Sequence, residues 1–272
     1  MKWVWGFVFV SFFWIGGHAQ DRSPVRSVYL TGGAYSGHFT DAFSFTGNPA
    51  VLGSVKTGGA GFSSERRWML KELDAYRLAG SFAAGGGGIG LLFQYTGDPA
   101  DQETALALAY GKGLGKISCG LQFRYDQIRI AGYGRSGNGS VMLGVRFHPA
   151  EKIYAGFCFS LSLPGGKRAA NARKTAAADQ IGIGYEISAL VFLSLQVVRE
   201  SGLPVNVIGC IDYHWSDQFF AALGIESISS SPYAKGGWKK NRLTIEIFTA
   251  FHVELGFTPG IVFFWEGKNK TR

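Results

Sequence analysis

The chain has 272 residues, 46% of them hydrophobic and only 17% charged, with 40 glycines, 15% aromatics and a formal charge of +8. Low charge and many aromatics exclude a disordered chain, and 40 glycines, at about 1 kcal/mol each in a helix interior, argue against a helical bundle. The densest basic run, Lys167-Arg168 with Arg173-Lys174, lies in a loop-like stretch. That is not the concentrated footprint of a nucleic-acid binder, and it fits an anionic membrane surface better.

Residues 1–19 read as a secretory signal peptide. Met1-Lys2 supplies the positive start, Trp3 to Ile15 is apolar apart from Gly6 and Ser11, and Gly17-His18-Ala19 sets small residues before a cut ahead of Gln20. That apolar run falls short of the roughly 20 residues a spanning helix needs. Nothing later in the chain offers a helical span either.

Residues 20–54 show no sustained alternation and are kept irregular by Gly32, Gly33, Gly37 and Gly47. They predict a short, plug-like N-terminal segment at the periplasmic mouth, because irregular backbone at membrane depth must be buried by protein or reached by water.

From 55 to 266 the pattern is period two. Between 117 and 126 one parity holds Ile117, Cys119, Leu121, Phe123 and Tyr125, and the other Ser118, Gly120, Gln122, Arg124 and Asp126. Such alternation marks a strand with one apolar and one polar or small face. It recurs near 57–67, 74–84, 88–97, 103–110, 116–130, 139–148 and 152–163. The second half continues it near 176–186, 190–199, 204–214, 218–226, 231–238, 242–252 and 256–265.

These are about 14 segments, mostly of the roughly 9–11 residues that a tilted membrane strand requires, and an even number suits a closed outer-membrane barrel. The fold class is therefore all-β, a transmembrane antiparallel barrel of about 14 strands. The apolar parity should face lipid. The other should face the lumen and includes Arg77, Arg124, Arg146, Glu186, Asp212, Arg242 and Glu246. An arginine at Ile183 should then do far more damage than a serine at Gly184. Residues 267–272 form a C-terminal tail.

Soluble chemistry is thinly represented. Gly132 to Gly137 spells a dinucleotide fingerprint but is followed by a strand instead of a helix. His38, His148, His214 and His252 lie on separate segments without metal-ligand spacing. Cys119, Cys158 and Cys210 read as small hydrophobes on strands. No catalytic residue, metal or cofactor is expected, and no nucleic acid.

The stretch from Leu30 to Gly53 carries Gly32-Gly33-Ala34, Asp41-Ala42 and Asn48-Pro49-Ala50. With Leu255-Gly256-Phe257-Thr258-Pro259 before an aromatic last strand, it resembles the PorV/PorQ-type barrels, themselves similar to the FadL transporters of hydrophobic compounds. The resemblance implies a non-enzymatic barrel with its N-terminal segment turned toward the lumen and Gly32, Gly33, Ala34, Asp41, Asn48, Pro49 and Ala50 as its motif residues. It also implies an accessory or shuttle role in type IX secretion, with secretion-system proteins as partners. The alternative is a FadL-like passive conduit for a small hydrophobic ligand. Either way the expected place is the outer membrane of a Gram-negative, Bacteroidota-type bacterium, amid outer-membrane lipid and lipopolysaccharide.

Overall fold

A computed structural model describes residues 28–163 and 177–267; the assigned signal peptide 1–19, the start of the N-terminal segment and the tail beyond Gly267 lie outside the described residues. Fourteen strands follow four single-turn 3-10 helices. They are β1 (Gly59–Arg66), β2 (Asp74–Ala84), β3 (Gly87–Gly97), β4 (Asp101–Leu114), β5 (Ile117–Ile130), β6 (Gly134–Ala150) and β7 (Ile153–Ser162). Then come β8 (Ala177–Glu186), β9 (Val191–Glu200), β10 (Asn206–His214), β11 (Phe219–Glu226), β12 (Ser231–Lys240), β13 (Leu243–His252) and β14 (Gly256–Glu266). Each strand pairs antiparallel with its neighbours in sequence, and β1 pairs with β14 from Gly59↔Glu266 to Glu65↔Gly260. The sheet is a closed barrel, so no strand edge runs unpaired around the wall.

The period-two pattern decides which side chain goes where. On β8, Gln180, Gly182, Gly184 and Glu186 are buried inward, while Ile181, Ile183 and Tyr185 stand exposed on the outside. The same holds for Leu106 and Leu108 on β4 and for Leu121 and Phe123 on β5. The exterior is thus an apolar belt, the reverse of a water-soluble domain.

All connections at one end are short, at 85–86, 115–116, 151–152, 187–190, 215–218 and 241–242. The segment before β1 enters at that end. The opposite end carries the longer connections at 67–73, 163–176 and 201–205, although 98–100 and 131–133 are short as well.

Two expectations need correction. Residues 131–138, the connection between the expected strands 116–130 and 139–148, are mostly strand: Gly134 to Gly139 pair in register with Ile130 to Tyr125 around a tight turn at Gly132 (φ +81°). Arg242, expected on a lumen-facing strand position, lies instead in the Asn241–Arg242 turn between β12 and β13. The positive φ of Asn241, +57°, turns the chain there and β13 begins one residue later than the alternation suggested.

Ile183 tests the outward belt. In a bilayer, Ile183→Arg should cost about 2–4 kcal/mol of folded barrel, seen as loss of the fast-migrating, unboiled band on an electrophoresis gel. An unchanged band would mean that Ile183 does not meet lipid.

Candidate functional site

The barrel interior is occupied by the chain's own N-terminal segment. Tyr35, Phe43, Phe45, Val51 and Leu52 are at most 2% exposed; Phe43, Phe45 and Leu52 pack in one cluster with inward-facing Ala79, Leu92, Ala107, Ala109, Val262 and Phe264, and Tyr35 and Val51 in a second with Ala34 and Tyr154. Among the described residues the apolar interior is built here, because the sheet turns its other face outward. Phe43 meets Phe264 edge-on at 5.8 Å, and Tyr29 lies against Phe248 at 4.1 Å.

The wall is recessed to receive the segment. Gly111, Gly120 and Gly144 stand directly opposite one another across β4, β5 and β6, and Gly156 stands opposite Gly182 across β7 and β8. A Cβ on Gly120 would sit 2.3 Å from the Pro49 carbonyl carbon, on Gly144 2.3 Å from Asn48 Oδ1, and on Gly182 2.0 Å from the Tyr35 ring. On Gly184 it would sit 1.9 Å from the Tyr35 carbonyl oxygen. The glycines bring backbone against backbone, which any side chain would prevent.

Irregular backbone inside a barrel must find partners for its polar groups, and two carboxylates and one arginine provide them. Glu186 accepts from Ser36 Oγ (2.5 Å), Gly37 N (2.7 Å), His38 N (3.1 Å) and His38 Nδ1 (2.6 Å). Arg146 donates to the Ser36 carbonyl (2.8 Å) and to Ser54 Oγ (2.6 Å). Glu65 takes the Tyr29 hydroxyl together with Arg67 and Arg77, the latter at 3.1 Å. Burial pushes the phenols of Tyr29 and Tyr35 above their ordinary range, so both stay neutral; Tyr29 donates to Glu65, and Tyr35 accepts from Gln180 Nε2 at 3.1 Å.

The predicted motif residues fall into this segment with separate tasks. Asp41 Oδ1 accepts from Phe43 N (2.7 Å), Ser44 N (2.8 Å) and Ser44 Oγ (3.0 Å), forming a tight turn. Burial raises the Asp41 carboxyl above its usual value even so. Asn48 caps the 3-10 turn that Pro49 opens, accepting from Ala50 N at 2.9 Å and donating to the Val145 carbonyl at 3.3 Å. Gly33 lies close under the Phe39 carbonyl, Ala34 and Ala50 are fully buried, and Gly32 has open space beside it.

Of the predicted lumen residues, Arg77, Arg146 and Glu186 hold the segment, while Arg124 pairs with its neighbour Asp126 at 2.8 Å. Asp212 pairs with Lys235 at 3.2 Å, and with Glu246 they border a cavity of about 650 Å³ at the short-turn end. Arg146, His214 and Asp41 also border it. A second cavity of about 320 Å³ lies at the other end, under Trp68, Leu203, Pro204, Ile208, Ile228 and Tyr233. No residue borders both cavities; Tyr29 of the segment borders one, and residues 37–42 border the other.

Sequence reasoning missed Tyr29, Tyr35, Ser36, Phe43, Phe45, Glu65 and Lys235. The signal for the first five was present, as inward glycines on consecutive strands leave room that something bulky must fill. The expectation that Gly184 tolerates serine is also corrected, since the Tyr35 carbonyl occupies that space. Gly184→Ala should dislodge the segment without dissolving the wall. Planar-bilayer recordings should then show higher conductance than for the wild type, while Gly209→Ala, which has nothing within 4 Å, should leave conductance unchanged.

No family model and no curated protein sequence matches the chain. Solved structures match its fold. The CymD monoaromatic hydrocarbon channel superposes with a TM-score of 0.55 and 11% identity over 86% of this chain and 93% of that one. The Pseudomonas putida toluene transporter TodX gives 0.56 and 8% over 88% and 96%, and a Pseudomonas aeruginosa FadL homologue 0.53 and 10% over 87% and 97%. At identities this low the likeness is one of architecture: the chain shares the barrel fold of these outer-membrane proteins.

Proposed function

We propose that the protein is a non-enzymatic, passive conduit for small hydrophobic compounds in the outer membrane, reached after export by the signal peptide at 1–19. The observation that carries this reading is the cavity of about 320 Å³ at the end with the longer connections. Val198, Leu203, Pro204, Ile208, Ile228 and Trp68 line it, and several of the polar groups around it are bonded to one another or to neighbours. Asn206 Nδ2 donates to Glu226 at 2.6 Å, Ser229 to the same carboxylate at 3.0 Å, and Arg67 to Glu65 at 2.8 Å. A guest there gains apolar burial and meets one buried hydroxyl without a hydrogen-bond partner among the described residues, that of Tyr233, which favours an uncharged ligand.

Size agrees with chemistry. An apolar cavity of about 150 Å³ holds one benzene, so this one has room for a substituted aromatic ring. The fold neighbours named for monoaromatic hydrocarbons and toluene support the same class. Nothing comparable supports a PorV/PorQ-type role in type IX secretion, and the hydrophobic-compound reading is preferred to it. In this account the N-terminal segment separates the apolar cavity from the charged one, so solutes pass only when its turns shift.

Filling the cavity tests the reading. Isothermal titration calorimetry of the detergent-solubilised barrel should show saturable toluene binding that Ile208→Trp weakens at least tenfold, with heat-modifiable migration retained. Absence of saturable binding by the wild type, or equal binding by the folded variant, would overturn it.

A further inference from the structure

Among the described residues the β5–β6 hairpin extends past its neighbour β7. Its pairing runs on from Tyr125↔Gly139 to Ile130↔Gly134, whereas β7 meets β6 only as far as Ser140↔Ser162. Along its outer face come Leu121, Phe123 and Tyr125, all exposed, then Gln127, and then Arg129. Arg129 lies directly opposite Arg135 of β6, and both are exposed. Like charges facing each other across an antiparallel pair destabilise it.

The surroundings do nothing to relieve this. In register on the outer face are Gln102 of β4, opposite Arg129, and one step down Thr104, Gln127 and Gly137. None is acidic. The nearby carboxylates lie on the other parity or are engaged: Asp101 and Glu103 of β4 are in register with Ile130 and Ile128, on the opposite parity to Gln102 and Arg129, Asp126 is held by Arg124 at 2.8 Å, and Asp98 accepts from Ala100 N and Asp101 N at 2.9 and 3.0 Å. The height on the wall is informative as well. Tyr76 faces Tyr95 with ring centroids 6.4 Å apart, and Tyr95 is in register with Thr104, which is in register with Gln127. On β5 itself Arg129 follows the outward Tyr125 by two pleats on the same face, and interfacial tyrosines sit at headgroup level.

We propose that Arg129 and Arg135 form an outward-facing site for the phosphate of a membrane-lipid headgroup. Two guanidinium forks can grip one phosphate from both strands, each through charge-assisted hydrogen bonds. The anion cancels the repulsion between them. Its acyl chains then lie along Tyr125, Phe123 and Leu121 on the same face, contacts that a free phosphate ion cannot make. The inference rests on the reading of the barrel as an outer-membrane protein and is independent of what the lumen conducts.

The test uses the full-length mature barrel in detergent, with diphosphoryl lipid A, its dephosphorylated form and inorganic phosphate as probes in microscale thermophoresis. Heat-modifiable migration reports separately whether a variant is a folded barrel. The wild type should bind diphosphoryl lipid A at least tenfold more tightly than the dephosphorylated form, and inorganic phosphate only weakly. The double variant Arg129→Gln/Arg135→Gln should lose that preference. Arg199→Gln, an outward arginine of β9 that lies 4.0 Å from Asp179, should keep it. Stability should change sign with the lipid: in lipid-free detergent Arg129→Gln should raise the melting temperature by relieving repulsion, and with diphosphoryl lipid A it should lower it relative to the wild type. Retained preference in the folded double variant, equal loss in the Arg199 control, or phosphate binding as tight as lipid A would overturn the proposal.

Discussion

Tyr35 seated against Gly182 and Gly184, with Pro49 against Gly120, is the contact on which the rest of the structure depends. A barrel whose outer face is apolar has no second sheet to pack against, so its interior is filled by water, by side chains or by more chain. Here the inner wall gives up its side chains on successive strands and the N-terminal segment takes the space. The segment's buried rings, Phe43 and Phe45 foremost, are each worth about 1.5–3 kcal/mol of transfer from water. Fixing an irregular segment in place costs conformational entropy, and burial offsets that cost only if the freed backbone groups are satisfied. That is the task of Glu186, Asp41 and Asn48, each of which collects at least one backbone N–H of the segment.

The same seating divides the lumen chemically. Toward the short turns the cavity is bordered by Asp212, Lys235, Glu246, Arg146 and His214, polar and ionisable groups that need water or each other. Toward the longer connections it is bordered by apolar side chains together with polar groups such as Asn206, Ser229 and Glu226 that bond one another. Trp68, on the rim of that cavity, sits at φ +49°, a conformation bulky residues rarely adopt, and its N–H is held by Thr258 Oγ at 3.1 Å. Strain of this kind persists only where its surroundings impose it. A guest that prefers the apolar cavity gains nothing from the charged one, so the segment between them governs passage.

The outer surface repeats the logic of matching faces. Leucine, isoleucine and phenylalanine fill the middle of the belt, tyrosines mark its upper limit on β2, β3 and β5, and the arginine pair follows on the projecting hairpin. Each zone meets a different layer of a bilayer: hydrocarbon, interface and headgroup.

Strand number, antiparallel order and the inside–outside assignment were legible in the sequence, because alternation of period two is a local property that each strand carries by itself. The faces of Ile183 and Glu186 follow from parity alone. Boundaries were less legible: the Gly-, Ser- and Asn-rich run from Gly134 to Gly139 looks like a loop and becomes strand through its pairing with β5, and Arg242 falls one residue outside β13. The inward glycines signalled an open space, but not what fills it. Parity says that Gly184 points inward, but only the tertiary structure shows the Tyr35 carbonyl facing it, brought there from 149 positions away, as the Gly37–Glu186 bond also shows. A repeat is written into neighbouring residues, whereas the occupant of an interior is decided by packing between segments remote in the chain.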